Sequence, residues 1–439
     1  MERARQCVEA AGCGGTKQQM GRHWAIGCVA LEVTQRCNLD CTLCYLSENS
    51  EATRDLPLSE ILRRIDLIHR HYGNNTDIQI TGGEPTLRRP AELLSIVRKI
   101  HRLGMRATLM TNGIRLKRSL LEALVEAGLV DVAFHVDTTQ QRKGYRTEAE
   151  LSSLRQDYID RARDLPVCVM FNTTVHAGNL DAVPELVRFF TANADVVRMA
   201  SFQLQADTGR GIAGQRSCLL TQQALEDRIA EGAGTPVDFD ASLVGHPKCN
   251  RFAACLVVNG KVHEVFDNSE FVRRIQSEAG SIAWDRRSPM NTLCNSLHWI
   301  IRHPGIVFPG LRWAAGKAWR MRKDLLASRG RIHQLSFLTH NFMDAGCLQR
   351  DRIEACVLKV MTRDGPLSMC QHNARRDAYI LQPVMLHPGN SRGYWQPLTG
   401  EINGIRNVPV HISPDAHPLK HLKGRARLQR LEKCSKFSM

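Results

Sequence analysis

The chain reads Cys37-Asn38-Leu39-Asp40-Cys41-Thr42-Leu43-Cys44-Tyr45 directly after an apolar, strand-like run, and this stretch places its cysteines in the pattern C-x3-C-x2-C. Thiolates at this spacing can surround one metal centre only from a loop. A set of three protein ligands leaves one coordination position open, which is typical of a working metal site rather than a purely structural one. The spacing alone is compatible with a four-iron cluster, with a Cys3His zinc site and with cysteines that bind no metal.

Outward from this stretch, apolar strand-like runs alternate with amphipathic helical patterns. Short apolar strands separated by helices indicate a parallel sheet with crossover helices, and a series of such units indicates a closed or open barrel. The predicted strands are Ile26–Val33, Asp77–Ile80, Arg106–Met110, Asp131–Val136, Val167–Phe171 and Val196–Phe202. The predicted helices are Leu58–His71, Pro90–Leu103, Arg118–Ala127, Glu150–Arg163 and Leu180–Thr191.

Polar residues follow each predicted strand at its carboxyl end, which is where barrels of this kind carry their chemistry. The second strand ends in Thr81-Gly82-Gly83-Glu84-Pro85, and glycines at this point allow the backbone to approach a ligand closely. The later strands end in Thr111-Asn112-Gly113, His135-Val136-Asp137, Asn172-Thr173 and Gln203-Leu204-Gln205. An isolated polar residue at a strand end is usually part of a turn, but a whole series in phase indicates a site.

The cysteine motif after the first strand, GGEP after the second and Thr111-Asn112-Gly113 after the third together resemble the radical S-adenosylmethionine (radical SAM) superfamily over residues 26–235. The resemblance implies an α/β fold, a partial (β/α)6 TIM barrel, which here carries an irregular C-terminal extension. It implies a 4Fe–4S cluster and S-adenosylmethionine (SAM) as cofactors. Reductive cleavage of SAM would yield a 5′-deoxyadenosyl radical that abstracts hydrogen from an unactivated carbon. It also implies an electron donor, such as a reductase, a ferredoxin or a flavodoxin.

The resemblance further implies roles for individual residues. Cys37, Cys41 and Cys44 would hold the cluster through three of its irons, leaving the fourth iron for SAM. The positions that would contact SAM or the reacting groups are Tyr45, Gly82, Gly83, Glu84, Pro85, Asn112, His135, Asp137 and Asn172, with Gln203 as a further candidate. For Asn112, His135, Asp137, Asn172 and Gln203, a turn residue without ligand contact remains the alternative. No catalytic residue is assigned.

The C-terminal half contains His246-Pro247-Lys248-Cys249 and a run from Asn341-Phe342-Met343-Asp344 through Cys356 to Met369-Cys370-Gln371-His372-Asn373. This run is similar to the radical SAM group that contains archaeal tetraether lipid synthase and its pterin-modifying relatives. The similarity implies a second, auxiliary iron–sulfur cluster at Cys249, Cys356 and Cys370, with Cys255 and Cys347 as further candidates. Small buried thiols without metal are the alternative. Cys7 and Cys13 do not form the C-x2-C pairs of the lipid synthase, so an identical activity is not expected.

The net charge of +15 on 439 residues is concentrated in two segments. Residues 302–331 carry eight basic side chains and one acidic one, and residues 420–436 carry seven basic and one acidic. The first segment has the pattern of a basic amphipathic helix, which is consistent with an anionic membrane surface. Its apolar side would contain Leu311, Ala314, Ala315, Ala318, Trp319, Met321, Leu325 and Leu326. A core-packing helix with a solvated face is the alternative.

These patterns predict four regions: an N-terminal extension (1–25), the radical SAM core (26–235), a substrate and auxiliary-cluster region (236–410) with a basic amphipathic segment (296–331), and a basic tail (411–439). The sequence has no run of 18 apolar residues and no apolar signal core at its start, which predicts a cytoplasmic protein, peripheral at the inner face of a membrane at most. The composition excludes disordered, collagen-like and coiled-coil classes.

Several functions remain open at this point. The first is radical chemistry on a lipid or other hydrophobic substrate, including C–C bond formation. The second is modification or methylation of a soluble small molecule such as a pterin. A peptide-modifying enzyme is disfavoured by the spacing of the C-terminal cysteines. A metal-binding membrane or RNA-binding protein without catalysis is the alternative from another class, although no aromatic-interleaved motif indicates specific nucleic-acid binding.

Overall fold

The computed structural model describes residues 1–15, 26–213, 216, 218–279, 282, 285, 288–386 and 393–404. The basic tail, predicted at 411–439, lies outside the described residues. The strands are β1 Cys28–Thr34, β2 Asp77–Gly82, β3 Arg106–Thr111, β4 Leu129–His135, β5 Cys168–Val175, β6 Val197–Leu204, β7 Ser242–Leu243, β8 Asn250–Val258, β9 Lys261–Glu264, β10 His333–His340, β11 Leu358–Thr362, β12 Gly365–Ser368, β13 Val384–Leu386, β14 Gly393–Trp395 and β15 Ile402–Asn403.

The helices alternate with the first strands as the sequence predicts. They are α1 Glu2–Ala10, α2 Leu58–Tyr72, α3 Pro90–Arg102, α4 Arg118–Glu126, α5 Glu148–Ala162, α6 Val183–Ala192, α7 Gln222–Ala233, α8 Ser269–Glu278, α9 Pro289–Arg302, α10 Val307–Ala327, α11 Arg350–Glu354, α12 Met369–Ala374 and α13 Asp377–Ile380. The crossover helices bury one apolar stripe each, and in α3 this stripe is Leu93, Ile96, Val97 and Ile100.

The strands β1 to β6 lie side by side in chain order and each pair is parallel. All residues of β1 are buried, as expected for a strand covered on both faces. The main core fills the space between this sheet and its helices, with Leu31, Ile80, Leu109 and Phe134 at its centre. The prediction of an α/β fold with repeated parallel strand–helix units is confirmed.

The C-terminal part of the chain extends the same sheet at both edges. Strand β10 pairs in parallel with β6, and β11 pairs in parallel with β1. The described strands therefore run in the order β12-β11-β1-β2-β3-β4-β5-β6-β10-β8-β7, with β9 attached to β8. The chain between β10 and β11 connects the two edges. The predicted domain boundary at 235/236 stays a prediction, because strands from either side of it share one sheet.

Helices α8 to α10, residues 269–327, form a helical insertion between β9 and β10. Helix α10 packs on the sheet through Lys317, Met321 and Asp324. Most of the large apolar side chains of the insertion are exposed, and these residues, here called the insertion surface, are Met290, Leu293, Leu297, Ile300, Ile301, Val307, Phe308, Leu311, Trp319 and Leu326. Among the helices that the structure describes, none combines the length and apolar character that crossing a bilayer would require.

Candidate functional site

The cysteine loop follows β1, and Cys37, Cys41 and Cys44 all line one cavity of about 210 Å³. The loop is attached to the turn after β4, because the Thr42 amide donates to the Thr139 carbonyl at 2.8 Å. Burial raises the pKa of the Cys41 thiol, and the neighbouring thiols of Cys44 and Cys37 raise it further. The structure therefore brings the three predicted cysteines together at one end of the cavity.

A second segment, which the sequence analysis did not single out, packs against this loop. The amide of Arg210 donates to the Leu46 carbonyl at 2.9 Å, and the amide of Gly211 donates to the Cys44 carbonyl at 3.1 Å. The Arg210 guanidinium is only 6% exposed and donates to Cys44 Sγ at 3.3 Å. It also pairs with Glu51 at 3.3 Å. A buried cation thus lies against one thiol of the loop.

The two glycines after β2 allow the backbone to pack on the end of β1. A Cβ at Gly82 would lie 1.9 Å from the Thr34 carbonyl oxygen, and one at Gly83 would lie 2.1 Å from that of Arg36. The Gly83 amide donates to the Thr34 carbonyl at 2.8 Å. The Tyr45 hydroxyl donates to the Gly82 carbonyl at 2.6 Å. Both glycines and Tyr45 line the cavity, whereas Pro85 starts a buried turn behind it.

The buried Glu84 carboxylate is occupied by its own neighbours. Its Oε1 accepts from the Thr86 amide at 3.0 Å and from Thr111 Oγ1 at 2.7 Å, and its Oε2 accepts from the Asn112 amide at 2.7 Å. Glu84 therefore joins the ends of β2 and β3, in addition to lining the cavity. The Asn112 amide group, which also faces the cavity, donates to Asn38 Oδ1 at 2.7 Å.

His135 and Asp137 form a pair at the end of β4. His135 Nε2 lies 2.7 Å from Asp137 Oδ2, which also accepts from the Thr174 amide at 2.7 Å. Burial alone would raise the pKa of the Asp137 carboxyl, but His135 and the hydrogen bonds from Thr139 and Thr174 lower it overall. His135 lines the cavity and Asp137 lies behind it, so Asp137 orients the imidazole. Asn172 and Gln203 complete this wall.

The opposite wall comes from the C-terminal half and was not predicted. Arg376, only 2% exposed, pairs with Glu32 of β1 at 2.7 Å, and its guanidinium lies over the Tyr45 ring with 4.9 Å to the centroid. His372 Nε2 lies 3.9 Å from Glu32. Burial would raise the pKa of Glu32, but Arg376 and His372 lower it to about 2. The apolar part of this wall contains Phe342, Met343, Val360 and Met369.

The C-terminal cysteines fall into two groups. Cys249, Cys356 and Cys370 lie near one another where the two edges of the sheet meet, and burial raises the pKa of Cys370 to about 12 with Cys356 and Cys249 adding to the rise. Cys255 is instead buried in the core within β8, and Cys347 is exposed. Across the described residues, no three His, Cys, Asp or Glu side chains are spaced to hold a single metal ion, and this includes both cysteine groups.

Comparison with known proteins places residues 31–190 in the family model described as Radical SAM superfamily. The 7,8-dihydro-6-hydroxymethylpterin dimethyltransferase of Methanocaldococcus jannaschii is 30% identical over 186 residues, 41% of this chain and 36% of that protein. The PqqA peptide cyclase of Rhodopseudomonas palustris is 30% identical over 215 residues, 46% of this chain and 53% of that protein. The GTP 3',8-cyclase of Chlorobaculum tepidum is 30% identical over 227 residues, 50% of this chain and 68% of that protein.

The chain spans 36% to 51% of the length of the first curated relatives that it matches, and those relatives act on different kinds of substrate by their names. The residues that the family model matches contain the cysteine loop, the glycine pair and strands β2 to β5. The chain belongs to the radical SAM superfamily, whose members use a 4Fe–4S cluster and SAM.

Proposed function

We propose that this radical SAM enzyme abstracts a hydrogen atom from an unactivated carbon of a lipid or other hydrophobic substrate while it is bound to an anionic membrane surface. The observation that carries this proposal is the insertion surface. Phe308, Ile301 and Leu326 are 75%, 77% and 81% exposed. A group of exposed apolar side chains is typical of an interaction site, whereas single exposed apolar residues are common on any protein surface.

The charge around the insertion surface favours a lipid membrane as its partner. The exposed basic residues of helices α9 and α10 include Arg302, Arg312, Arg320, Arg322 and Lys323. The guanidinium of Arg322 lies over the Trp319 ring, 4.2 Å from its centroid. Tryptophan beside basic residues is common at the boundary between lipid headgroups and acyl chains. Most of the predicted apolar side of α10 is thus exposed, while Met321 is buried against the sheet, and the exposed part favours membrane binding over core packing as its role.

The residues of the cysteine loop fit a 4Fe–4S cluster with one open iron. Three thiols line the cavity from one loop, and the buried Arg210 guanidinium against Cys44 Sγ supplies positive charge next to a cluster that carries negative charge. We assign Cys37, Cys41 and Cys44 as the ligands. When bound, the cluster and SAM supply a one-electron reduction that releases a carbon-centred radical, and superfamily enzymes need an external electron donor for it.

The remaining cavity residues fit the binding and orientation of SAM. The glycine pair lets the backbone of Gly82 and Gly83 pack on the end of β1 while it lines the cavity, and Tyr45 offers an aromatic ring whose hydroxyl is already fixed. Asp137 fixes the ring of His135, so this imidazole can hold a hydrogen bond to a ligand without reorienting. The walls of Phe342, Met343, Val360 and Met369 exclude water from the reacting end.

The substrate proposal is tested by isotope transfer. The reduced, reconstituted enzyme is incubated with SAM and vesicles of phospholipid with perdeuterated acyl chains. We expect 5′-deoxyadenosine that carries deuterium, and none from the Cys37/Cys41/Cys44→Ala variant. Formation of 5′-deoxyadenosine without deuterium in the presence of lipid, together with stimulation by a 6-hydroxymethylpterin, would overturn the lipid proposal.

The membrane proposal is tested by flotation on vesicles. Phe308→Ser, Leu311→Ser and Trp319→Ser are combined, since these exposed side chains contribute little to the core. We expect this triple variant to lose binding to phosphatidylglycerol vesicles, and the wild type to bind phosphatidylcholine weakly. The matched control is Leu219→Ser with Ile402→Ser, which changes exposed apolar residues elsewhere and should float like the wild type. Equal flotation of the triple variant would refute a membrane role for the insertion surface.

A pterin-type substrate is the second candidate, because one wall of the cavity is polar. His135, Asn172, Thr174 and Gln203 lie together on that wall, and such groups could bind the edge of a heterocycle. The M. jannaschii relative carries a pterin in its name. The isotope experiment above distinguishes the two candidates.

We also propose that Cys249, Cys356 and Cys370 hold an auxiliary iron–sulfur cluster. Burial raises the pKa of the Cys370 thiol to about 12, the thiols of Cys356 and Cys249 add to the rise, and the Met343 amide donates to Cys370 Sγ at 3.4 Å. Amide donors to sulfur are common around iron–sulfur clusters. Iron counting tests this proposal, since Cys356→Ala should lower the iron content without changing the Cys37–Cys44 site. An unchanged iron content would remove Cys356 from the ligand set.

A further inference from the structure

The segment that follows β6, residues 209–213, binds Cys44 at two points. The Gly211 amide donates to the Cys44 carbonyl at 3.1 Å, and Arg210 Nη2 donates to the Cys44 sulfur at 3.3 Å. The Arg210 amide also donates to the Leu46 carbonyl at 2.9 Å. These backbone hydrogen bonds attach the segment to the cysteine loop, so the fold itself sets the distance between the guanidinium and the sulfur.

The Arg210 guanidinium is a buried cation that two carboxylates accompany. Its Nη1 lies 3.3 Å from Glu51 Oε1 and 4.0 Å from Asp40 Oδ1. A guanidinium is not deprotonated in proteins, so its charge is permanent. Water has little access to this group, and a charge in such surroundings acts on its neighbours more strongly than a charge in solvent does. Arg210 therefore keeps a positive charge beside the sulfur of one assigned cluster ligand.

The chemistry of the cysteine loop requires a one-electron reduction, in which one electron passes from the external donor to the 4Fe–4S cluster and no bond breaks. The added electron is a negative charge, which a neighbouring cation stabilises and a neighbouring carboxylate destabilises. Net charge and hydrogen bonds to the sulfurs are among the factors that set the reduction potential of iron–sulfur clusters. Arg210 combines both factors at Cys44, and both raise the potential.

We propose that Arg210 acts through Cys44 to raise the reduction potential of the cysteine-loop cluster, and that Glu51 limits this effect by partly neutralising the guanidinium. The inference rests on the assignment of the three loop cysteines as ligands and is independent of the lipid proposal. The external donor can then reduce the cluster more easily than it could without the arginine. Arg210 lies outside residues 31–190, which the family model matches, so that match assigns it no role.

A redox titration of the reconstituted full chain, followed by EPR, tests the inference without turnover. The signal to follow is the one that the Cys37/Cys41/Cys44→Ala variant lacks, which separates the cysteine-loop cluster from an auxiliary cluster. We expect Arg210→Gln to lower the midpoint potential enough to change the one-electron equilibrium about tenfold, which is ~59 mV. Glu51→Gln should raise the midpoint potential, because it leaves the guanidinium less neutralised.

Two control variants separate the effect of charge from that of structure. Arg210→Lys keeps a positive charge and should have a midpoint potential closer to that of the wild type than Arg210→Gln has. Arg228→Gln removes an arginine of α7 that pairs with Asp181 at 2.7 Å and with Glu231 at 2.9 Å. The Arg228 side chain is 40% exposed, against 4% for that of Arg210, so solvent screens its charge and the potential should stay unchanged.

The outcomes distinguish a failure of this inference from a failure of the cluster assignment. If the wild type gives no EPR signal that depends on the loop cysteines, the assignment fails and the inference fails with it. If the signal is present and Arg210→Gln has the wild-type potential, the assignment stands and the inference is overturned. If Arg210→Gln binds no iron, Glu51→Gln decides: a raised potential supports the inference, and an unchanged or lowered potential overturns it.

Discussion

At the residue scale, the cysteine loop depends on close backbone contact with Gly209. This glycine has φ +53, and a Cβ there would lie 2.4 Å from the Tyr45 carbonyl carbon and oxygen. We predict that Gly209→Ala displaces the loop, lowers the iron bound at the SAM site and destabilises the fold by more than the ~1–2 kcal/mol of left-handed strain alone. Urea unfolding and iron counting measure both effects.

The control for this prediction is Gly144→Ala. Gly144 has φ +91, and a Cβ at this position would have nothing within 4 Å, so the substitution reports backbone strain without a clash. We expect Gly144→Ala to retain the iron of the wild type. Equal iron loss in both variants would show that the contact between Gly209 and Tyr45 is unimportant.

The buried Glu32 makes stability depend on pH in the acid range. Its pKa is lowered from 4.5 to about 2 in the folded protein, so its carboxylate stabilises the fold fully above pH 4.5 and loses that effect as the pH falls toward 2. The shift corresponds to about 3 kcal/mol. We predict that Glu32→Gln is less stable than the wild type by about this amount at pH 7 and that the difference shrinks below pH 4. Denaturant unfolding at several pH values checks this, and a difference that is constant with pH would contradict it.

Some residues of the site could be predicted from the sequence and others could not. Cys37, Cys41, Cys44 and the glycine pair belong to short local motifs, so their grouping could be predicted from spacing. Arg210 and Arg376 lie about 165 and 330 residues from the loop positions that they contact, at Cys44 and Tyr45, and only the folded sheet brings them there. No local pattern marks either arginine, so both were missed.

At the element scale, periodicity located the strands and helices of the core but not their ends. The predicted fourth helix starts at Glu150, whereas α5 starts at Glu148 because Thr147 and Glu150 form a capping box. Strand β5 continues to Val175, past the predicted Phe171, because its pairing with β6 continues through Asn172 and Thr174. An apolar pattern does not show how far two strands will pair or which side chain will cap a helix.

Helix α10 shows a second limit of periodicity, since the pattern does not say which face meets the protein. The packed side is built on Lys317, which donates to the Glu264 carbonyl and pairs with Asp267 at 2.8 Å, and on Asp324, which pairs with Lys261 at 2.9 Å. Two charged residues and Met321 thus attach the helix to the edge of the sheet, and the exposed apolar residues, such as Leu311, Trp319 and Leu326, face outward. An apolar stripe would predict the opposite orientation for a helix that packs on a core.

We predict that Lys317→Ala releases α10 from the sheet without unfolding the core. The substitution leaves Asp267 and the Glu264 carbonyl without a buried cation, which costs about 1–3 kcal/mol locally. Hydrogen exchange should become faster in α10 and stay unchanged in β1 to β5. Arg312→Ala, an exposed basic residue of the same helix, is the matched control and should leave exchange in α10 unchanged. Equal exchange in α10 of both variants would contradict the role assigned to Lys317.

At the scale of the whole molecule, the sheet has two edges that the C-terminal half brings together. Arg352 lies at this junction: its Nη2 donates to the Lys248 carbonyl at 3.3 Å and also to the Asn341 carbonyl. His246 pairs with Asp351 at 3.2 Å across the same junction. The sequence after residue 235 predicts an irregular extension, whereas the structure forms strands there that extend both edges of the sheet. This pairing is set by contacts between distant residues, so it could not be predicted.

We predict that loss of the proposed auxiliary cluster opens this junction. Iron bound by Cys249, Cys356 and Cys370 would cross-link segments separated by more than 100 residues, and a cross-link of that span stabilises by about 3–5 kcal/mol. Cys356→Ala should therefore speed hydrogen exchange on the order of 100-fold in β8 and β11. Strands β2 to β5 should exchange as in the wild type. The matched control is the Cys37/Cys41/Cys44→Ala variant, which keeps the auxiliary ligands and should show wild-type hydrogen exchange at the junction. Fast exchange at the junction in this control, or unchanged exchange in Cys356→Ala after confirmed iron loss, would show that side-chain contacts and not the cluster hold the edges.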